Sequence, residues 1–537
     1  MERREFLLSS LGLLAVSSGF AQGSSLGESQ GTVAFESFGQ PSGIRKPNII
    51  VILADDLGYA DLGCQGCRDI PTPHIDSLAA NGIRFTDGYA NHPVCSPSRA
   101  GLLSGRYQHR FGFEHNSGPE RYAAPNFGLP RDELTIAERL KKLEYATGMV
   151  GKWHVGFSEG LRPHERGFDY HYGFLSGAHT YLPENYGGYP DRLVRNGVPV
   201  EDEHEYLTDA FARESVAFIE RAKDAPFLLY LAFNAVHAPL EATKAYEDLF
   251  PKITDPKRRT YAAMTAAMDD AVGRVLAKLR DYGLEENTLI FFYSDNGGPT
   301  PQTTSSNAPL RGYKGQVLEG GIRVPFLVQW KGTLPAGVVY PHMIMGFDVH
   351  ATALAAAGGG MPADKPLDGV NLLPFLTGKQ EGAPHERLLW RSGQQSAVRD
   401  GDWKLVQVRG QQPQLYDLKD DIGESRDMAR EKPELLRQLQ SAYAEWDRQM
   451  MPAQWVRQDA RSAGSSGRKG SSAAGRGGTL QERFNQLDRN RDGRVSAAEF
   501  PRADAFQRMD ADGDGFVTVD EARRYYQRHR QQEGNEL

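Results

Sequence analysis

Residues 48–56, Asn-Ile-Ile-Val-Ile-Leu-Ala-Asp-Asp, decide the fold class. Asn48 to Ala54 is a β-branched apolar run that reads as a strand, and it stops on two carboxylates, Asp55 and Asp56. Outward from it, three more apolar runs end in the same way. Tyr145–Val150 stops near Lys152 and His154, Phe227–Phe233 near His237, and Leu289–Tyr293 at Asp295 and Asn296. Helical periodicity lies between them, around Ile75–Ala80, Leu134–Leu143, Leu207–Ala222 and Tyr261–Tyr282, the last closed by Gly283 as a C-cap. Alternation of this kind predicts an α/β fold, a sheet with much parallel pairing and helices on its faces. Ligands of such sheets bind outside the carboxyl ends of the strands. Four runs that each deliver charged or metal-competent residues at that end predict one site assembled from distant parts of the chain.

Asp55, Asp56, Asp295 and Asn296 are hard oxygen ligands suited to calcium, with magnesium as the alternative, and not to zinc or copper. Buried carboxylates in a cluster are costly without a cation. The competing reading is that Asp56 and Asp295 only cap loops.

After about Leu376 the texture changes. Leu388–Arg391, Ser396–Val398, Lys404–Val408 and Gln414–Leu418 read as short strands, with Asp400-Gly401 as a turn signal. Glu434–Gln449 reads as an amphipathic helix with Leu435, Leu439, Ala442, Tyr443 and Trp446 on one face. A small antiparallel sheet plus helix docked on the main domain is predicted. Residues 459–478, dense in Ser, Gly, Ala and Arg from Ser462 to Gly478, cannot bury enough apolar area to fold and form a linker.

An internal repeat follows, predicting an all-α EF-hand pair over residues 479–530. The first loop offers Asp488, Asn490, Asp492, the Arg494 carbonyl, Ser496 and Glu499, with Gly493 at the turn. The second offers Asp510, Asp512, Asp514, the Phe516 carbonyl, Thr518 and Glu521, with Gly515 at the turn. Val495 and Val517 hold the apolar position where paired loops form a short ladder, and each loop is expected to bind a calcium ion.

The other end reads as a targeting signal. Arg3 and Arg4, then Phe6 and Leu7, an apolar run to Val16 and small residues to Ala21 resemble a twin-arginine export signal over residues 1–21, with an ordinary secretory signal as the alternative. Residues 22–45 read as a linker, and the mature protein is expected in the periplasm or outside a bacterial cell. No later stretch is long and apolar enough for a transmembrane anchor. The 537-residue chain carries a net charge of −7, so it has no global basic field for nucleic acid, and no nucleic-acid motif is present. Three cysteines exclude a disulfide scaffold; Cys64 and Cys67 form a lone C-x-x-C, either a local disulfide or two free thiols.

The third cysteine opens CSPSRAGLLSGR, Cys95 to Arg106. This segment resembles the signature of the type I sulfatases: Cys95, Pro97, Ser98 and Arg99 match, and Ser104-Gly105 takes the usual Thr-Gly place. The resemblance runs from about Lys46 to Gln449 and includes PNIIVILADDLGYADLG, GKWHVG, the His237-Ala238-Pro239 step, SDNGG and GYKGQVLEGGIRVPF, in the family's order. It implies an alkaline-phosphatase-like catalytic domain over 46–375 and a C-terminal subdomain over 376–458. It also implies that a maturation enzyme oxidises Cys95 to formylglycine, and that Asp55, Asp56, Asp295, Asn296 and the modified Cys95 hold the cation. Arg99, Lys152 and His154 match residues that hold and serve the formylglycine; His237 and Lys314 match those that grip the sulfate and assist the leaving oxygen. Ser176 matches a further polar contact more loosely.

The implied chemistry explains these residue types. A hydrated aldehyde bears two hydroxyls: a divalent cation makes one a nucleophile toward sulfur, and the second, deprotonated by His154, lets the aldehyde reform and expel sulfate. His237 or Lys314 can protonate the departing alcohol. The aromatics Phe168, Tyr170, His171, Tyr172, Phe174, His179, Tyr181, Tyr186 and Tyr189 could stack on a sugar, or simply pack their loop on the sheet. The resemblance is strongest to arylsulfatases and N-acetylgalactosamine-sulfatases, implying a sulfated carbohydrate substrate with aryl sulfate as surrogate. Two other classes compete: a phosphoester or phosphonate hydrolase of the same wider superfamily, and a non-catalytic calcium-dependent sugar-binding protein.

Overall fold

The computed structural model of the chain describes residues 46–118, 124, 126–188 and 192–455 and, further on, only 484, 494–496, 509, 516–518 and 521–523. The expected export signal, both linkers and most of the EF-hand ligands lie outside the described residues.

A ten-stranded mixed sheet organises the molecule, in the order Val338–Tyr340, Ile83–Phe85, Phe326–Gln329, Thr288–Ser294, Asn48–Ala54, Phe227–Ala232, Ala146–Lys152, Tyr170–Phe174, Val194–Arg195, Val198–Pro199. The five strands from Thr288–Ser294 to Tyr170–Phe174 are mutually parallel. Asn48–Ala54 lies between Thr288–Ser294 and Phe227–Ala232, and its side chains divide between two cores. Ile50, Ile52 and Ala54 pack under the helices Leu207–Ala222 and Pro256–Asp281. Ile49, Val51 and Leu53 pack under Cys95–Ser104, Ile136–Lys141 and Asp348–Ala356. A central strand covered on both faces is apolar at every position, which is why residues 49–54 show no alternation.

Several expectations need correction. Tyr170–Phe174, read as part of a loop, is the fifth parallel strand. Most of the aromatics around it are packing residues: Phe168, His171, Tyr172, Phe174, His179 and Tyr181 are buried, Tyr170 and Tyr186 are half-buried, and Tyr189 lies outside the described residues. The long helix starts at Pro256, earlier than Tyr261, because Asp255 accepts from the Lys257 amide and Pro256 occupies the first turn. It ends at Asp281 with Tyr282 as its C-cap, and Gly283, at φ +64°, takes the left-handed position just past the cap. The helix Ile136–Lys141 is shorter than expected, opened by a reciprocal cap between Thr135 and Glu138.

The small sheet pairs Arg387–Ser392, Gln395–Asp400, Trp403–Val408 and Gln414–Asp417, all antiparallel. Asp400 pairs with Trp403, so the two-residue turn is Gly401-Asp402, one place later than the sequence signal; Gly401 supplies φ +55°. Helix Pro433–Asp447 covers the sheet with Leu439 and Trp446 buried and Leu435 and Tyr443 against the same core. Tyr89, Tyr107, Ile322 and Met345 of the larger domain join that core, which is how the subdomain docks. Cys64 and Cys67 are half-buried free thiols. No helix among the described residues is long and apolar enough to cross a membrane.

Candidate active site

The register of the central strands sets the site. Ala54 lies opposite Ser294, so Asp55 and Asp295 leave the sheet at the same level. The Asp295 amide donates to Ala54 O and the Asp55 amide to Ala235 O, tying three strand ends together. Asp55, Asp56, Asp295 and Asn296 are all buried. Asp56 takes φ +63°, which turns the chain sharply beneath the cluster. Its amide donates to Asp295 Oδ1, and its Oδ1 accepts from Asn296 Nδ2 at 2.7 Å.

Cys95 heads the buried helix Cys95–Ser104, with Sγ 3.5 Å from Asp55 Oδ1. Asp55, Asp56, Cys95 and His237 each offer an atom within 4.8 Å of the others. Four residues further along the Cys95 helix, the Arg99 guanidinium donates to Asp295 Oδ2 at 2.9 Å and to Lys152 O at 3.0 Å. Lys152 pairs with Asp55, and Lys314 with Asp56 Oδ2 at 2.9 Å. His237 Nε2 lies 3.6 Å from the same Asp56 oxygen. The structure thus brings together Asp55, Asp56, Cys95, Arg99, Lys152, His237, Asp295, Asn296 and Lys314.

A hard divalent cation fits these donors. Three carboxylates converge, and Asn296 Oδ1 is buried with no hydrogen-bond donor, an acceptor that a cation satisfies. The charges respond to one another. Burial alone opposes ionisation of Asp56, but Lys314 and His237 hold it down at about 2. Burial and the neighbouring Asp55 push Asp295 up to about 6. Burial, then Lys314, holds His237 down at about 3, and burial with Lys152 and Arg99 holds His154 well below its ordinary value. Burial also pushes the Cys95 thiol up to about 12.

His154 adopts φ +60° and is fixed through its backbone: its carbonyl accepts from Ser96 Oγ and Ser117 Oγ, and its amide donates to Leu175 O. A Cβ at residue 177 would lie 2.7 Å from the imidazole, so Gly177 leaves room for the ring. Ser176 sits beside this contact, 9% exposed, with its hydroxyl donating to Ala178 O. Ser96, Ser117 and Gly177 were not singled out by the sequence reading. Ser96 lies inside the Cys95 motif, whereas Ser117 and Gly177 carry no local signal.

A profile of the sulfatase family matches residues 47–359. This chain belongs to the sulfatase family. Within it, a second profile, described as N-sulphoglucosamine sulphohydrolase, C-terminal, matches residues 313–449 of this sulfatase-family chain. EF-hand profiles match residues 480–502 and 503–524. Human N-acetylgalactosamine-6-sulfatase is 36% identical over 356 residues, covering 62% of this chain and 66% of the relative, just under two thirds of its length. The crystal structure of Ps i-CgsB in complex with k-i-k-neocarrahexaose is 38% identical, with a TM-score of 0.73, covering 78% of this chain and 96% of that one. The phosphonate monoester hydrolase of Agrobacterium radiobacter, 19% identical with a TM-score of 0.56, covers 75% of this chain and 95% of that one and shares the fold alone. The ten-stranded sheet flanked by helices, with its small antiparallel C-terminal sheet, is the alkaline-phosphatase-like fold of the sulfatases.

Of the EF-hand ligands, Arg494, Ser496, Phe516, Thr518 and Glu521 are described; Asp488, Asn490, Asp492, Glu499, Asp510, Asp512 and Asp514 lie outside the described residues. Val495–Ser496 pairs antiparallel with Phe516–Val517, Val495 directly opposite Val517, and both valines are buried. This is the short ladder expected between paired loops. Thr518 and Glu521 cap each other: the Thr518 amide donates to Glu521 Oε2 at 2.9 Å, and the Glu521 amide to Thr518 Oγ1.

Proposed function

We propose that this chain hydrolyses sulfate esters of a carbohydrate, with formylglycine made from Cys95. A calcium ion, or magnesium in its place, would be held by Asp55, Asp56, Asp295, Asn296 and the Cys95 side chain. One observation carries the reading: Cys95 sits at the head of a buried helix, in contact with Asp55 and inside the carboxylate cluster. Together the cation and the formylglycine supply a nucleophilic oxygen near neutral pH and a route for expelling sulfate.

The chain's own residues do the rest. Arg99, Lys152 and Lys314 are fixed cations in a nearly dry site, where they stabilise charge on sulfate oxygens better than mobile water does. Burial works against the charge on Lys314, yet Asp56 holds it protonated, so Lys314 carries the proton that the leaving oxygen needs, and His237, a neutral imidazole beside the same Asp56 oxygen, relays it. His154 Nδ1 is buried with no hydrogen-bond partner, and the neutral ring is ready to take one. Relatives named for N-acetylgalactosamine 6-sulfate and for a neocarrahexaose complex support a sulfated carbohydrate.

The test is a panel of esters presented to protein co-produced with a formylglycine-generating enzyme: 4-nitrophenyl sulfate, N-acetylgalactosamine 6-sulfate, carrageenan oligosaccharides, 4-nitrophenyl phosphate and a phosphonate monoester. Sulfates are expected to be turned over best. Preference for the phosphorus esters would replace this reading with that of a phosphoester or phosphonate hydrolase, and inertness toward all would favour a sugar-binding role. The proton handlers separate in the same assay. His154→Ala is expected to release alcohol in a burst and then turn over slowly, whereas His237→Ala slows the first release, most for poor leaving groups, each by roughly 10²- to 10⁴-fold. Variants without such a split would reassign both residues.

The EF-hand pair is, in this proposal, a calcium module separate from the chemistry, and the paired arginines near the N-terminus direct export. Every residue assigned to the chemistry precedes residue 315, and Trp455 is stacked on Phe127 with ring centroids 4.7 Å apart, closing the described catalytic part. A chain ending at residue 458 is expected to keep its turnover of 4-nitrophenyl sulfate and the cation of its active site while losing the two further calcium ions of the EF-hand loops, measured by titration calorimetry against the full-length protein. Loss of turnover in folded, truncated protein would tie the module to the site.

A further inference from the structure

His237 stands on a turn held from two sides. Its amide donates to Asn234 O at 2.8 Å, closing the turn. On one side the turn is stitched to the carboxylate cluster: the Val236 amide donates to Asp55 O and the Asp55 amide to Ala235 O. On the other stands Tyr181, a fully buried residue from a loop more than fifty positions earlier. Its hydroxyl lies 2.8 Å from His237 O and 2.5 Å from Asn234 O, the two carbonyls that bracket the turn. The hydroxyl has one proton, which those carbonyls share.

Tyr181 is itself fixed from beyond the turn. Glu241 accepts from the Tyr181 amide at 2.8 Å, from Thr180 Oγ1 at 2.5 Å and from Asn185 Nδ2 at 3.1 Å. Tyr206 donates its hydroxyl to Glu241 O at 2.9 Å. The loop 180–185 and the segment after His237 are therefore a closed hydrogen-bonded unit, and the imidazole projects from it toward Asp56.

We infer that Tyr181 and Glu241 are positioning residues that hold His237 where the leaving oxygen departs. The inference rests on the reading of His237 as a proton handler for that oxygen. Tyr181→Phe keeps the ring and its packing and removes the hydroxyl that bonds the two carbonyls. Glu241→Gln keeps the shape and weakens the acceptor.

The experiment uses full-length protein matured with a formylglycine-generating enzyme and two aryl sulfates that differ in leaving-group strength. Tyr181→Phe is expected to lower kcat, not raise KM, by about 10- to 100-fold for phenyl sulfate while leaving 4-nitrophenyl sulfate within about twofold. Glu241→Gln should move both esters in the same direction by less. In a His237→Ala background, Tyr181→Phe should add no further loss. In the unmatured protein, hydrogen exchange at the amides of residues 235–238 should quicken in Tyr181→Phe while that of 48–54 stays unchanged. Equal losses on both esters, or a Tyr181→Phe effect undiminished without His237, would overturn the inference. If His237→Ala alone shows no leaving-group selectivity, the role of His237 fails, and the positioning role fails with it. That outcome is read from a variant in which Tyr181 is intact.

Discussion

Cys95→Ala is expected to leave the fold intact and to remove sulfate-ester turnover by roughly 10⁴-fold or more, as loss of a nucleophile does elsewhere. The side chain is 1% exposed, but its sulfur faces the carboxylate cluster and joins none of the three hydrophobic cores of the described residues, so its truncation costs little stability. Its contact with Asp55 and its place at the head of the Cys95–Ser104 helix are what chemistry needs and what folding does not. Cys95→Ser distinguishes the proposed mechanism further: it offers an oxygen but only one hydroxyl, so sustained turnover should be absent there too. The measurement is multiple-turnover hydrolysis of 4-nitrophenyl sulfate by folded variants with matched melting temperatures. Near-normal rates for Cys95→Ala would end the proposal for this residue.

The second large effect is expected far from the chemistry. Lys404 is fully buried in the small sheet, its Nζ 2.8 Å from Glu319 Oε1 and 2.8 Å from Glu424 Oε1. Glu319 belongs to the larger domain, where Arg323 at 3.2 Å and the Tyr89 hydroxyl at 2.7 Å also hold it. Burial opposes its charge, but Lys404 and Arg323 keep it ionised, at about 2. Lys404→Met keeps the stem and deletes the ammonium, leaving two buried carboxylates short of a cation, a loss of about 3–5 kcal/mol. Denaturant titration should show it as a lower unfolding midpoint, and Glu319→Gln combined with Glu424→Gln should recover part of it. An unchanged midpoint would mean that water reaches the pair. The consequence can reach the site, because Arg311 donates to Glu424 O at 2.7 Å from the loop that carries Lys314.

The sequence by itself determined the central strands and what stands at their ends. Ile49–Ala54 is apolar at every position because both faces are covered, and the run stops on a pair of carboxylates. Likewise Val495 and Val517 announced their ladder by position in a repeated loop. Tertiary structure alone decided the rest. Tyr170–Phe174 reads as a polar, aromatic loop and is a strand because Ala146–Lys152 offers it a parallel edge. Whether Tyr181 met a sugar or the turn beneath His237, and whether Lys404 was a solvated lysine or the clamp of two buried carboxylates, depended on partners far away in the chain. Local periodicity records which face of an element is dry. It does not record which distant atoms meet there, because that depends on how the elements pack, and a single hydroxyl or ammonium leaves no period in the sequence.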